Sequence, residues 1–233
     1  MTDRGDGDDR PPGAGSDPRP AEAPEHPRRP GPIGGDMAAV VFGLARRARI
    51  PALTARRSNT TVMGLFAFVN GLISIAIMAA AAWVTGEPFV FPSLGPTAFL
   101  LFYTPTAPAA SPRNTVGGHA IGAAAGYLAL VVFGLTDDPP ALATSVTAAR
   151  VGAAALSLGL TSGAMVWARV PHPPAGATTL IVSLGILREP EQLLVLMLAV
   201  VLLVIQGFAI NRLAGIDYPI WSPRPAGPTP PRP

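Results

Sequence analysis

Four stretches of about twenty apolar residues, at 62–84, 116–135, 146–168 and 191–212, constrain this chain more than any other feature. As a helix, each is long enough to cross about 30 Å of hydrocarbon at about 1.5 Å per residue. Backbone N–H and C=O groups find no water in lipid, so a span must pair them internally, as a helix does. The fold class is therefore all-α: a polytopic membrane helix bundle. Buried helices of a large soluble protein do not fit, because the charges are too few. Only 13% of residues are charged, against about 25% in a soluble domain. Between Val62 and Ile210 the charged residues are Glu87, Arg113, Asp137, Asp138, Arg150, Arg169, Arg188, Glu189 and Glu191.

The remaining charges lie mostly in two tails. Residues 1–36 are rich in Pro, Gly, Asp and Arg, and such a segment buries too little apolar surface to offset its ordering entropy. With no apolar h-region it does not read as a signal peptide. Residues 37–60 hold a short apolar run, Met37–Leu44, followed by Arg46, Arg47, Arg49, Arg56 and Arg57, the pattern of an interfacial helix. The membrane core is expected over 61–214, and a Pro-rich tail, read as disordered or extended, over 215–233. The net charge of +3 comes entirely from Arg, since there is no Lys. These Arg residues flank apolar segments, so they report topology and not nucleic-acid binding. The absence of Cys rules out disulfides and thiolate metal sites.

Between the long runs lie two shorter stretches, 89–104 and 172–187, which open on Pro and Gly and then turn apolar. Pro92-Ser93-Leu94-Gly95-Pro96-Thr97 aligns with Pro173-Pro174-Ala175-Gly176-Ala177-Thr178 as P-x-x-G-x-T. Each copy follows one long run and precedes another. The chain thus reads as two repeats of long helix, broken or half helix, long helix. Paired breaks of this kind point to a transporter binding site. If the broken segments cross, each repeat has three crossings and the repeats are inverted; if they re-enter, only four helices cross. With six crossings Arg113, Arg169 and Arg212 join the Arg-rich 46–57 stretch on the cytoplasmic side, with both termini, so the positive-inside rule favours six. The expected location is the plasma or inner membrane.

Small residues recur every four positions at Gly118, Gly122 and Gly126, and at Ala155, Gly159 and Gly163. Both stripes read as close-packing helix faces, internal in preference to a homo-oligomer contact. Asn70 and Ser74 read as interhelical hydrogen-bonding groups, and Asp137-Asp138-Pro139-Pro140 as a turn.

Pro171-His172-Pro173-Pro174-Ala175-Gly176-Ala177, together with the Ser111–Leu128 stretch "SPRNTVGGHAIGAAAGYL", resembles the HPP family of integral membrane proteins. The likeness covers about Thr61 to Ala214. It implies a small multi-span protein, and nitrite transport is associated with members in photosynthetic organisms.

The residues suggest how such a site would work. Pro suits the first turn of a helix, so half-helices are expected to start beside His172-Pro173-Pro174 and at Gly95-Pro96. Their free N–H groups and positive dipole ends would attract an anion. Thr97, Thr178 and Thr179 would add hydroxyl donors, and Gly95 and Gly176 would let the ligand approach the backbone. His172 is either a proton carrier or a hydrogen-bonded cap residue. Arg113 reads as an anion contact or an interfacial anchor, Asn114 as a helix N-cap, and His119 as a pathway or interhelical residue. No catalytic set, metal ligand set or cofactor motif is present, so an enzyme is not expected. The expected function is a permease for a small inorganic anion, with nitrite in view, embedded in the lipid bilayer. The alternatives are a non-transporting scaffold or sensor module, and a cation or neutral-solute transporter.

Overall fold

The computed structural model describes residues 59–223. The expectations for 1–58, including the Met37–Leu44 helix, and for 224–233 lie outside those residues. The described chain is all helical: α1 (Asn59–Thr85), α2 (Leu94–Tyr103), a 3₁₀ turn (Pro108–Ala110), α3 (Pro112–Val132), α4 (Ala148–Trp167), α5 (Ala175–Ser183) and α6 (Pro190–Leu213). The long helices α1, α3, α4 and α6 coincide with the four apolar runs and are each long and apolar enough to cross a membrane. Their outward faces remain apolar, with Leu65, Phe68, Leu72, Leu194 and Ile205 exposed. Lipid, not water, is the solvent these faces suit.

The helices α2 and α5 have 10 and 9 residues, so each spans about 15 Å, half a bilayer. The sequence explains both breaks. Pro173 and Pro174 supply no N–H for a helix reaching back toward α4, and they form the turn from which α5 starts. In the first break, Pro92 and Ser93 form the turn before Leu94.

Polar clasps mark the two ends of the bundle. At one end the Arg113 guanidinium, at the start of α3, donates to the carbonyls of Ala168 and Arg169, just past α4, at 3.2 and 3.1 Å. The Arg113 amide donates to Trp221 O beyond α6. Here too Asn211 Nδ2 of α6 donates to Leu101 O near the end of α2, and Phe66 of α1 meets Phe102 of α2 edge-on. At the opposite end Arg150, at the start of α4, donates to the carbonyls of Asp138, Pro139 and Ser183, the last residue of α5. The half-helices consequently run in opposite directions: α2 toward the Arg113 end, α5 toward the Arg150 end. The second broken segment passes from one end to the other, as non-helical chain over 168–174 and then as α5.

Three expectations need correction. The stripe Gly118, Gly122, Gly126 does pack internally, on α5, but Ala155 and Gly159 are exposed and Gly163 meets only the Trp167 side chain of its own helix. The short helix α5 covers the opposite side of α4 and leaves that stripe uncovered. Asn70 is not interhelical, because its Nδ2 donates to Phe66 O one turn back on α1. The segment after α6 is not a free tail at its start: Ile216 and Tyr218 are buried, since their apolar side chains pack on the core (Tyr218 edge-on to Phe208).

Candidate functional site

Close backbone approach between α3 and α5 builds the site. A Cβ at Gly118 would lie 2.6 Å from His172 Cβ, one at Gly122 2.7 Å from Ala175 O, and one at Gly126 2.7 Å from Val182 Cβ. No side chain fits at those separations, so the glycine stripe lets α5 and its preceding linker lie directly on α3. His119 follows Gly118, about 10 Å along α3 from Pro112, and His172 is carried in from the linker. The rings meet with centroids 4.9 Å apart.

Both histidines are completely buried, as are Thr97 and Thr178. His119 Nε2 and His172 Nε2 are 3.2 Å apart. Thr97 Oγ1 of α2 completes the triangle, 2.9 Å from His119 Nε2 and 3.3 Å from His172 Nε2. The outer nitrogens are held as well: His119 Nδ1 lies 2.7 Å from Thr178 Oγ1 of α5, and His172 Nδ1 lies 2.8 Å from Ala109 O. The first turn of one half-helix and the approach to the other therefore meet at one polar centre.

Proton bookkeeping assigns the roles. A carbonyl only accepts, so His172 carries its proton on Nδ1 and donates to Ala109 O; in the neutral ring Nε2 is then a lone pair. The Thr97 hydroxyl donates to Ser93 O at 2.9 Å, which leaves its oxygen to accept from His119 Nε2–H. His119 Nδ1 is then the acceptor for the Thr178 hydroxyl. With both rings neutral every proton in the centre has an acceptor, as burial demands. The centre has room for one more proton on His119 Nδ1, if the Thr178 hydroxyl turns to accept from it, while the Nε2 proton of His119 stays between the two rings facing the His172 Nε2 lone pair.

Other residues expected at the site lie elsewhere. Gly95 and Pro96 are exposed, and a Cβ at Gly95 would meet nothing. Pro173 is exposed and Pro174 half-buried, shaping the turn. Gly176 faces Leu158 of α4. Thr179 bonds Thr161 Oγ1 of α4 at 2.8 Å and Ala175 O at 3.1 Å, tying α5 to α4. Arg113 clasps the α4 end. Asn114 is not the N-cap: Pro112 takes the first helical position, so Ser111 caps, accepting from Asn114 N at 3.4 Å. The Asn114 side chain donates instead to Pro108 O at 2.9 Å.

The expected free amides at the start of α5 are also paired. Ala175, Gly176 and Ala177 donate to the carbonyls of His172, Pro173 and Pro174 at 3.0, 3.0 and 3.1 Å. Tight-turn bonds of this kind commonly close a helix terminus. Side chains, not amides, thus supply the chemistry. Two buried hydroxyls without a hydrogen-bond partner, Ser93 Oγ and Thr115 Oγ1, sit one helical turn from Thr97 and His119 on the same helix faces. Among the described residues no group of three His, Asp or Glu side chains is placed to hold a metal.

Sequence reasoning missed Thr161, Ala109, Ser93 and Thr115. The two threonines carried a readable signal, a hydroxyl inside an apolar span. Ala109, which acts through its carbonyl, carried none. Also missed was Arg150, which is 2% exposed and faces carbonyls only; an Arg inside an apolar run was its signal.

A family model described as HPP, transmembrane region, matches residues 56–219. A transmembrane protein of Dictyostelium discoideum is 32% identical over 112 residues, 48% of this chain and 33% of that protein. The chain thus spans about a third of that curated relative's length. No solved structure matches.

Proposed function

The chain belongs to the HPP transmembrane family, and from that premise we propose that it is a permease for a small inorganic anion of the nitrite class, moved together with a proton. One observation carries this reading: the buried His119–His172 pair stands where two half-helices of opposite direction meet. Ionisable groups buried in a membrane bundle are costly and mark transport pathways. A further proton on His119 Nδ1, with the Nε2 proton held between the two rings, gives the centre one positive charge, and the free hydroxyls of Ser93 and Thr115 offer uncharged donors to an anion. Release of the proton returns the neutral, fully bonded network and removes the attraction, which couples anion movement to proton movement.

The two halves, α1–α3 and α4–α6, form an inverted repeat in this account, with the Arg113 end cytoplasmic. Arg113, Arg169 and Arg212 gather at that end, where α1 also begins, in keeping with the positive-inside rule. Neutral-solute transport is the second reading, favoured by the paired amides of α5 and the closed neutral network.

Purified protein in liposomes tests the choice. With acid outside, nitrite should accumulate inside at a rate that falls as the external pH is raised, and His172→Ala should abolish it. Nitrite flux indifferent to a pH gradient, or flux of uncharged solutes only, would remove the proton-coupled anion reading.

A further inference from the structure

We propose that Tyr218, in the segment following α6, is a positioning residue for His172, acting through the 3₁₀ turn at Pro108–Ala110. The inference rests on the reading that His172 lies on the transport path.

All three carbonyls of that turn are used, each by a different part of the chain. Pro108 O accepts from Ser111 Oγ and Asn114 Nδ2, at 2.8 and 2.9 Å. Ala109 O accepts from His172 Nδ1. Ala110 O accepts from the Tyr218 hydroxyl. The turn's own bonds are two, Ala110 N to Ala107 O and Ser111 N to Pro108 O, at 3.0 and 3.2 Å. Three-residue 3₁₀ turns have poor bond geometry and little stability of their own, so outside partners fix this one. On the α3 side they are Ser111 and Asn114. On the other side stands Tyr218.

The orientation of Ala109 O matters because it sets which His172 nitrogen is protonated. With Nδ1 donating to the carbonyl, the Nε2 lone pair faces His119 and Thr97. Were the carbonyl turned away, Nδ1 would lose its acceptor and the ring could hold its proton on Nε2 instead, facing the His119 Nε2–H. Two donors would then oppose each other 3.2 Å apart, and His172 Nε2 could no longer accept the proton held between the two rings.

The segment carrying Tyr218 is fastened at several points. Tyr218 and Ile216 are buried, the Tyr218 ring packs edge-on against Phe208 with centroids 6.2 Å apart, and Trp221 O accepts from the Arg113 amide at 3.0 Å. The Tyr218 hydroxyl is thus held by a packed segment and bonds the carbonyl adjacent to the one His172 uses.

Tyr218→Phe removes the hydroxyl and keeps the ring. Phe208→Leu loosens the ring and keeps the hydroxyl bond. Nitrogen-15 NMR of the ring-labelled full chain in bilayers reads the His172 tautomer directly. In Tyr218→Phe the His172 Nδ1–H signature should fall and an Nε2–H signature appear, and proton-driven nitrite flux should drop about fivefold, the effect of one buried hydrogen bond. Phe208→Leu should lower thermal stability while leaving the tautomer as in the wild type. An unchanged His172 signature in Tyr218→Phe, or an equal change in Phe208→Leu, overturns the proposal. The tautomer readout needs no flux, so a shifted signature in a protein that moves no anion would keep the positioning role and sink the permease reading.

Discussion

Replacing Gly118 by Ala tests the contact that brings the two histidines together. The added Cβ would sit 2.6 Å from His172 Cβ and 3.3 Å from its Cγ, where comfortable carbon contacts begin near 3.5 Å. The linker must retreat by almost 1 Å. His172 Cβ is bonded to a backbone flanked by Pro171 and Pro173, so no flexible side-chain end can absorb the clash. Overpacking of this kind costs about 1–3 kcal/mol. Ala also has higher helix propensity than Gly, worth about 1 kcal/mol in the opposite sense. Gly159→Ala cancels that second effect, because Gly159 is inside α4 and its Cβ would meet nothing within 4 Å. The unfolding free energies of the two variants, measured in the same detergent by circular dichroism, should differ by about 1–3 kcal/mol, with Gly118→Ala the weaker. Gly118→Ala should also lose nitrite flux, since the Nε2–Nε2 contact of 3.2 Å opens as the linker retreats. Equal stabilities, or full flux in Gly118→Ala, would refute the packing argument.

Further expectations follow from the clasps and the segment after α6. Arg150→Lys should destabilise the fold by about 1–3 kcal/mol in chemical unfolding, because one ammonium cannot reproduce the planar fork that reaches Ser183, Asp138 and Pro139. Arg169 holds a left-handed backbone with φ 54°, so Arg169→Gly should raise stability by about 0.5–1 kcal/mol by relieving that conformation. Burial pushes the Tyr218 hydroxyl well above its usual range. A raised folded-state value means its stabilising contribution is complete below about pH 10, the ordinary tyrosine value, and is lost as pH climbs through the folded value. The stability gap between wild type and Tyr218→Phe should therefore hold constant up to about pH 10 and narrow above it in pH-dependent thermal melts.

Much of the fold was legible because the signals are local. Each long helix is an uninterrupted apolar run, and membrane solvent leaves such a run one option. The half-helices were legible from Pro92, Pro96, Pro173 and Pro174, because proline fits the first turn of a helix and bars one arriving from its N-terminal side. The polar centre was legible only as separate residues. His119, His172, Thr97 and Thr178 could be named, but their meeting depends on how closely α5 lies on Gly118, Gly122 and Gly126, and spacing along the chain does not encode that distance. Asn114 was assigned the cap because its position looked right, whereas Pro112 had already moved the helix start back to Ser111. The α5 amides were expected free because the first turn of a helix has no intrahelical carbonyls to accept from it, but the carbonyls of His172, Pro173 and Pro174 turned out to be within reach. Ala155 and Gly159 show the limit of a small-residue pattern: it marks a face on which another backbone could lie close, without naming the partner.

The account stands on His119 and His172 acting as one centre on the path of the solute. Nitrite flux into proteoliposomes under an inward proton gradient, compared for His119→Gln, His172→Gln and the double variant, tests this most directly. Glutamine keeps hydrogen-bonding capacity and gives up the proton. Residues that work as a unit are strongly non-additive, so each single variant should lose as much flux as the double. Wild-type flux in either single variant, or losses that multiply independently in the double, would contradict the shared centre.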